Sequence, residues 1–368
     1  MFLFFKNPES CQAYTTADWE RLFRKARAGR LLERVEAILR QRSLLVAVPA
    51  EAQWQLTSAR VRSERAQRQM RWEIERIRTA LRVPLNVHET PFPVVLLKGA
   101  AYLKSGLPWS EGRISVDVDI LVPAENLLTV EAKFNQAGWF TAQNSEYDEH
   151  FYREWMHEIP PLHNYDRGTD LDVHHTLLPQ TGKLTVDARK LLKRIVPLDG
   201  DADFYTLAPC DMLIHAAIHA FQDGDLNGTL RDLLDLDAML RFFPEQDSEF
   251  LKKLAERTEE LGLERPMFHA LHYTSRLLGT PFPETLWKRC RNWGGGPCSR
   301  RVMDALVPRG VNVELPGRER QTVAWARTFL LIRQHWLRMP VRMLVPHLWK
   351  KWRVRREERR KRQAGDNH

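Results

Sequence analysis

The chain has 368 residues, 43% of them hydrophobic and 28% charged, enough for two or three soluble domains with real cores. Its four cysteines, Cys11, Cys210, Cys290 and Cys298, are scattered and form no CxxC, which argues against a zinc ribbon or a disulfide framework and for a reducing cytoplasm. The net charge of +9 is uneven: residues 341–362 hold ten Lys/Arg and two Glu, a local +8, so the rest of the chain is close to neutral.

The apolar run after Met1 in "MFLFFKNPES" is too short for a signal-peptide core, and no run approaches the length of a bilayer span. Residues 17–83 read as helices: "LLERVEAILRQRSLL" and "RVRSERAQRQMRWEIERIRTALR" are rich in helix formers and lack internal Gly and Pro. Pro84 closes this N-terminal helical region, 1–84. An α/β unit of mixed order is expected over 85–200. It starts with a short buried strand at Val94–Leu97, which turns at Lys98-Gly99 into a helix. The strand "ISVDVDILV" follows, and then a helix over "AENLLTVEAKFNQAG", with Gly138 at its C-terminal end. "WFTAQ", "HFYREW", "HEIPPLHNY" and "TDLDVHHTL" are read as further strands. After Pro209 the helical pattern returns, giving a C-terminal helical domain, 201–318, and an aromatic and basic helical tail, 319–368.

The stretch "GRISVDVDIL" carries the first chemical signal. Ile114, Val116, Val118 and Ile120 alternate with polar residues, the mark of a strand with one buried face. Asp117 and Asp119 then share the other face, about 7 Å apart at Cα. Like charges at that spacing call for solvent or a cation between them. Neutralising one of them is therefore expected to be tolerated or mildly stabilising in the metal-free protein. In "TDLDVHHTL" Asp170, Asp172 and His174 likewise share a face. If Asp172 meets Asp117 and Asp119, the three form a site for two divalent cations of the kind that drives in-line displacement at phosphorus. Mg²⁺ suits such a set, with Mn²⁺ as a substitute.

Strand, glycine turn, helix, a strand bearing Asp-x-Asp and a third Asp on a later strand together resemble the nucleotidyltransferase superfamily of DNA polymerase β. "VVLLKGAAYL", Arg113 with "DVDILV", "LDVHHTL" and "LRDLLDLDAML" more narrowly resemble a bacterial family of uncharacterised nucleotidyltransferases, over residues from about 85 to 245. The resemblance implies an α+β fold, a small mixed-sheet domain flanked by helical regions. It also implies transfer of a nucleotidyl group from a nucleoside triphosphate such as ATP to an acceptor, with release of pyrophosphate. Asp117, Asp119 and Asp172 would be the catalytic and metal-binding residues. Gly99 would let backbone amides approach the phosphates, and Lys98 or Arg113 would offset phosphate charge. Two departures stand out: Lys98-Gly99-Ala100 where the superfamily often has Gly-Ser, and a longer spacer between Gly99 and Asp117. A degenerate nucleotide- or partner-binding protein and a toxin–antitoxin component are the alternatives.

Other features have plainer readings. Arg113 serves equally well as a structural partner of the aspartates. His215 and His219, four apart on a helix, read as neutral core or cleft histidines, and Asp232 and Asp235 as partners of neighbouring helices. Trp325, Phe329, Ile332 and Trp336 have helical spacing and read as a packing face. The Arg-rich tail with Trp349 and Trp352 fits an anionic membrane surface at the inner face, nucleic-acid phosphates, or a solvated end.

Overall fold

The computed structural model describes residues 1–344 except 86–89, 142–145, 202, 224–228, 316, 318 and 319, and beyond them only Pro346, Trp349 and Arg353. Most of the basic tail, Trp352 included, therefore lies outside the described residues.

Helices open the chain for local reasons. Thr15 and Asp18 form a reciprocal capping box at the start of Thr16–Ala28. The 33-residue helix Ala50–Arg82 runs until Val83, which precedes Pro84 and takes an extended conformation. This helix packs on Leu32–Gln41 and against the sheet.

Among the described residues seven short strands follow: β1 (Val94–Leu96), β2 (Asp117–Leu121), β3 (Phe140–Thr141), β4 (Leu162–Asn164), β5 (Thr169–His174), β6 (Val196–Pro197) and β7 (Phe204–Thr206). They form one mixed sheet in the order β3-β4-β5-β2-β1-β7-β6. β2 lies at its centre, parallel to β5 and antiparallel to β1. β7 lies past residue 200, so the sheet draws its last strand from beyond the expected end of the α/β unit. The architecture is α+β, a mixed sheet flanked by helices on both sides in sequence. One hydrophobic core runs from Phe4 through the sheet to Leu330.

Three sequence expectations change. β2 does not bury a single Ile/Val face: Val118, Asp119, Ile120 and Leu121 are all buried, while Val116, outside the strand, is 69% exposed. A central strand covered on both faces has no solvated side. "HFYREW" is not a strand but the end of the helix Glu146–Trp155. Its Phe151, with Met156 just past its end, joins Met339 in a small second cluster. Gly138 does end the preceding helix, Leu127–Gln136, with φ +83°, and the Trp139 amide reaches back to the Phe134 carbonyl at 2.9 Å.

The third change concerns Gln321–Arg338. This helix buries Val323, Ala326, Leu330 and Leu337, whereas Trp325, Phe329, Ile332 and Trp336 face outward, 46–63% exposed. The expected packing stripe is the outer face, because the smaller aliphatic residues on the other side fit closer to the core. Leu330→Ala should therefore cost about 2–4 kcal/mol in chemical denaturation, and Phe329→Ser should stay within about 0.5 kcal/mol of wild type. The reverse ranking would put the aromatic stripe in the core.

Candidate active site

Parallel pairing of β2 with β5 sets Asp117 opposite Asp170 and Asp119 opposite Asp172. Side chains alternate along each strand, so Asp117, Asp119, Asp172 and His174 rise from one face of the sheet. On the other side of β2, β1 runs into Leu97, whose amide donates to the Asp119 carbonyl at 3.0 Å. The next residue, Lys98, has φ +45°, in the left-handed region that costs a side-chain-bearing residue energy. That turn starts the helix Lys98–Lys104 and places Lys98 Nζ 2.8 Å from Asp119 Oδ1.

Asp119 is thus balanced from two sides, by Lys98 and by His174 Nε2 at 3.2 Å from the same oxygen. Burial opposes its charge, but Lys98 and then His174 hold the carboxyl well below the usual range. Burial likewise opposes the Lys98 charge, and Asp119, with Asp117 and Asp172, overrides it and raises that ammonium above its ordinary value. The cation that offsets the Asp-x-Asp charge in this state is Lys98. Asp172 has no such partner among the described residues. Burial, then the charges of Asp119, Glu158 and Asp117, push its carboxyl up to about 8.

Lys98, Asp117, Asp172 and His174 line a cavity of about 330 Å³. His157, Glu158, His215, His219, His335 and Arg338 complete its polar wall, and Phe151, Tyr152, Met156 and Met339 its apolar wall. His215 is kept uncharged by burial and by Lys98, and His219 contacts Asp232 at 3.1 Å. Asp170 is exposed and paired with His163 at 2.7 Å.

Gly99 and Arg113 sit elsewhere. With Ser115 they border a recess of about 10 Å³, room for a single water. A side chain at Gly99 would overlap Ser115 Oγ and the Arg113 guanidinium, so close packing demands the glycine. Arg113 Nε donates to Asp235 at 2.7 Å and its guanidinium lies 5.3 Å over the Tyr102 ring. Arg34 takes the other oxygen of Asp235. All three charges are nearly fully buried, so Arg113 ties the N-terminal helices and the helix Thr229–Gln246 to the back of the site.

Sequence reasoning missed Arg34, Glu158, His157 and the aromatic wall. Arg34 meets Asp235 across 201 residues, with no local signature. Glu158 reaches the site because an isolated bridge pairs it with His174.

Two stability predictions follow for the metal-free protein. Between the ordinary value of 3.8 and about 8, folded Asp172 holds a proton that the unfolded chain has lost. Stability conferred by that proton is complete below 3.8 and is lost as pH rises through 8. Asp172→Asn should therefore be more stable than wild type above pH 8, by on the order of 1–2 kcal/mol, with the gap closing toward pH 4 in thermal melts. Asp119→Asn, by contrast, strands the buried Lys98 ammonium and should lose roughly 3 kcal/mol. An unchanged melt in Asp119→Asn would mean that solvent, not Lys98, balances that carboxylate.

The family described as uncharacterised nucleotidyltransferase has a model that matches residues 15–279. No curated protein and no solved structure matches the chain. The matched span begins in the N-terminal helices, includes Arg34 as well as all seven strands, and ends past Asp235. By that match over most of its length, with the aspartates of β2 and β5 inside it, the chain belongs to the uncharacterised nucleotidyltransferase family.

Proposed function

We propose that the protein transfers a nucleotidyl group from a nucleoside triphosphate to an acceptor, with release of pyrophosphate, on a fold of the DNA polymerase β superfamily. The observation that carries this reading is the register that sets Asp119 opposite Asp172, next to Asp117 and above a cavity large enough for phosphates. The donor set is chemically suited to Mg²⁺, since three carboxylates supply hard oxygen ligands. When bound, Mg²⁺ offsets the charge of the triphosphate and of the departing pyrophosphate.

The chain's own groups supply the rest. Asp117, Asp119 and Asp172 would hold the metal and, through it, the triphosphate against β2. Lys98 is the cation beside Asp119 and is positioned to stabilise phosphate charge as it develops. The acceptor hydroxyl attacks the α-phosphorus and the bond to the bridging oxygen breaks. Pyrophosphate leaves with the electron pair, and the hydroxyl proton passes to Asp172, whose own proton would be displaced when the metal binds. Gly99 and Arg113 support the turn from behind, through packing against each other and the Asp235 ion pair.

Incubation with triphosphate labelled at the α-phosphate, Mg²⁺ and host lysate tests the reading. The α-label should move to an acceptor while a γ-label leaves as pyrophosphate. Asp117→Asn, Asp119→Asn and Asp172→Asn should each lose roughly 100-fold or more, without additivity because the residues act as one unit. Asp170→Asn, exposed on the same strand, should retain activity. Transfer of the γ-label would make the protein a kinase. Full activity in Asp117→Asn would remove the carboxylate set from the chemistry and favour the partner-binding alternative.

The outward aromatic face favours a second statement, about location. The four cysteines form no disulfide. Among the described residues no helix is long and apolar enough to cross a membrane. Trp325, Phe329, Ile332 and Trp336 present an exposed apolar stripe just before a segment carrying +8 over residues 341–362. We propose that stripe and tail seat the protein on an anionic lipid surface at the inner membrane face, apolar rings in the interface and basic side chains on headgroups. Vesicles containing phosphatidylserine should co-sediment the protein in a salt-sensitive way. Trp325→Ser with Phe329→Ser should release it, and neutral phosphatidylcholine vesicles should not bind. Retention of the double variant on the vesicles, or preference for nucleic acid over them, would contradict the assignment.

A further inference from the structure

The wall of the cavity beside the aspartates contains a second constellation, of different chemistry. Just ahead of β4 the chain passes the end of β5. Glu158 bridges His174 in antiparallel fashion, the Ile159 amide donates to the Val173 carbonyl at 3.1 Å, and the His175 amide donates to the His157 carbonyl at 3.0 Å. These main-chain bonds hold His157, Glu158 and His174 side by side. Their side chains are 7%, 17% and 3% exposed. Donor atoms of the three all lie within 4.8 Å of one another.

The hydrogen bonds of His174 decide what this cluster can hold. A carboxylate only accepts, so in the 3.2 Å contact His174 Nε2–H donates to Asp119 Oδ1. Nδ1 is then the ring nitrogen turned toward the cluster. That atom is buried, has no hydrogen-bond partner among the described residues, and faces Glu158 Oε2 at 3.5 Å. A ring nitrogen and a carboxylate oxygen that face each other in a largely enclosed place form a pocket that a cation between them would satisfy. A metal-bound histidine whose other nitrogen donates to a carboxylate is the usual way proteins orient such a ligand. Here Asp119 is that carboxylate.

The spacing fits as well. Ligands around a tetrahedral ion with bonds of about 2.1 Å lie about 3.4 Å apart. His174 Nδ1 and Glu158 Oε2 are 3.5 Å apart, and His157 Nε2 is 3.9 Å from Glu158 Oε2. Two imidazoles and one carboxylate form a set that prefers first-row transition ions to Mg²⁺. All three residues line the cavity, so remaining coordination positions open onto it.

We propose that His157, Glu158 and His174 form a binding site for one transition-metal dication such as Zn²⁺, separate from the Asp117, Asp119 and Asp172 set and linked to it through the His174–Asp119 hydrogen bond. The assignment does not depend on nucleotidyl transfer. Its test is equilibrium dialysis of the full chain against Zn²⁺ in excess Mg²⁺, with Co²⁺ as a spectroscopic substitute. Wild type should retain one Zn²⁺ per chain, and Co²⁺ should give the visible bands of a low-coordinate site. Glu158→Gln and His157→Ala should weaken retention by about 100-fold or more, while Asp117→Asn keeps it. If His157→Ala does not fold, the wild-type Co²⁺ spectrum and Glu158→Gln still decide. Absence of Zn²⁺ retention in wild type, or wild-type retention in Glu158→Gln, would overturn the site and leave a bridging proton between His174 and Glu158. Loss of Zn²⁺ in Asp117→Asn equal to that in Glu158→Gln would place the ion on the aspartates instead.

Discussion

The ion pair between Lys98 and Asp119 is the contact on which the arrangement of the site depends. Asp119 lies in a strand covered on both faces, so its charge cannot be left to solvent. Breaking such a pair leaves a buried charge without compensation, a larger loss than its net contribution to stability. The left-handed backbone at Lys98 and the Leu97–Asp119 main-chain bond both serve to deliver that ammonium. The chain accepts local backbone strain at the turn between β1 and its helix and offsets it with electrostatics in the sheet. The Asp119–Lys98 pair leaves Asp172, one strand away, as the carboxyl that keeps its proton near neutral pH. One aspartate held ionised and a neighbour held protonated is a division of roles set by environment, not by residue type.

Behind the sheet a second buried ion cluster has the opposite character. Arg34, Arg113 and Asp235 join helices far apart in the chain, and the recess that Arg113 borders is only about 10 Å³. The two clusters lie on either side of the Lys98–Gly99 turn. Charged residues in front of the turn can exchange partners with a ligand, and those behind it are fully committed to one another. The helix Gln321–Arg338 adds a link to the exterior, since His335 and Arg338 line the cavity while Trp325 and Phe329 face outward on the same helix.

How much of this was legible in the sequence depended on the range of the interaction. Strand alternation spans a few residues, so it put Asp117 and Asp119, and separately Asp172 and His174, on shared faces. That β2 and β5 are neighbours came from the family resemblance, because pairing across fifty residues leaves no local mark. Burial of β2 on both faces was invisible for the same reason. "HFYREW" has strand-like composition, but it is helical, and its Phe151, with Met156 just past the helix end, packs against Met339, nearly two hundred residues on. The tryptophan stripe showed a correct period and the wrong side, since periodicity locates a face without saying what covers it. Glu158 carried no signal beyond an adjacent histidine; its place comes from a single bridge to His174.

The central claim is that Asp117, Asp119 and Asp172 together receive a metal-bound triphosphate. A crystal structure with Mn²⁺ and a non-hydrolysable triphosphate, phased on the manganese anomalous signal, tests it most directly. The account predicts manganese between the three carboxylates and the phosphate oxygens, with the Lys98 ammonium in contact with phosphate. Carboxylates without manganese, Lys98 still seated on Asp119 and the triphosphate bound elsewhere would contradict it.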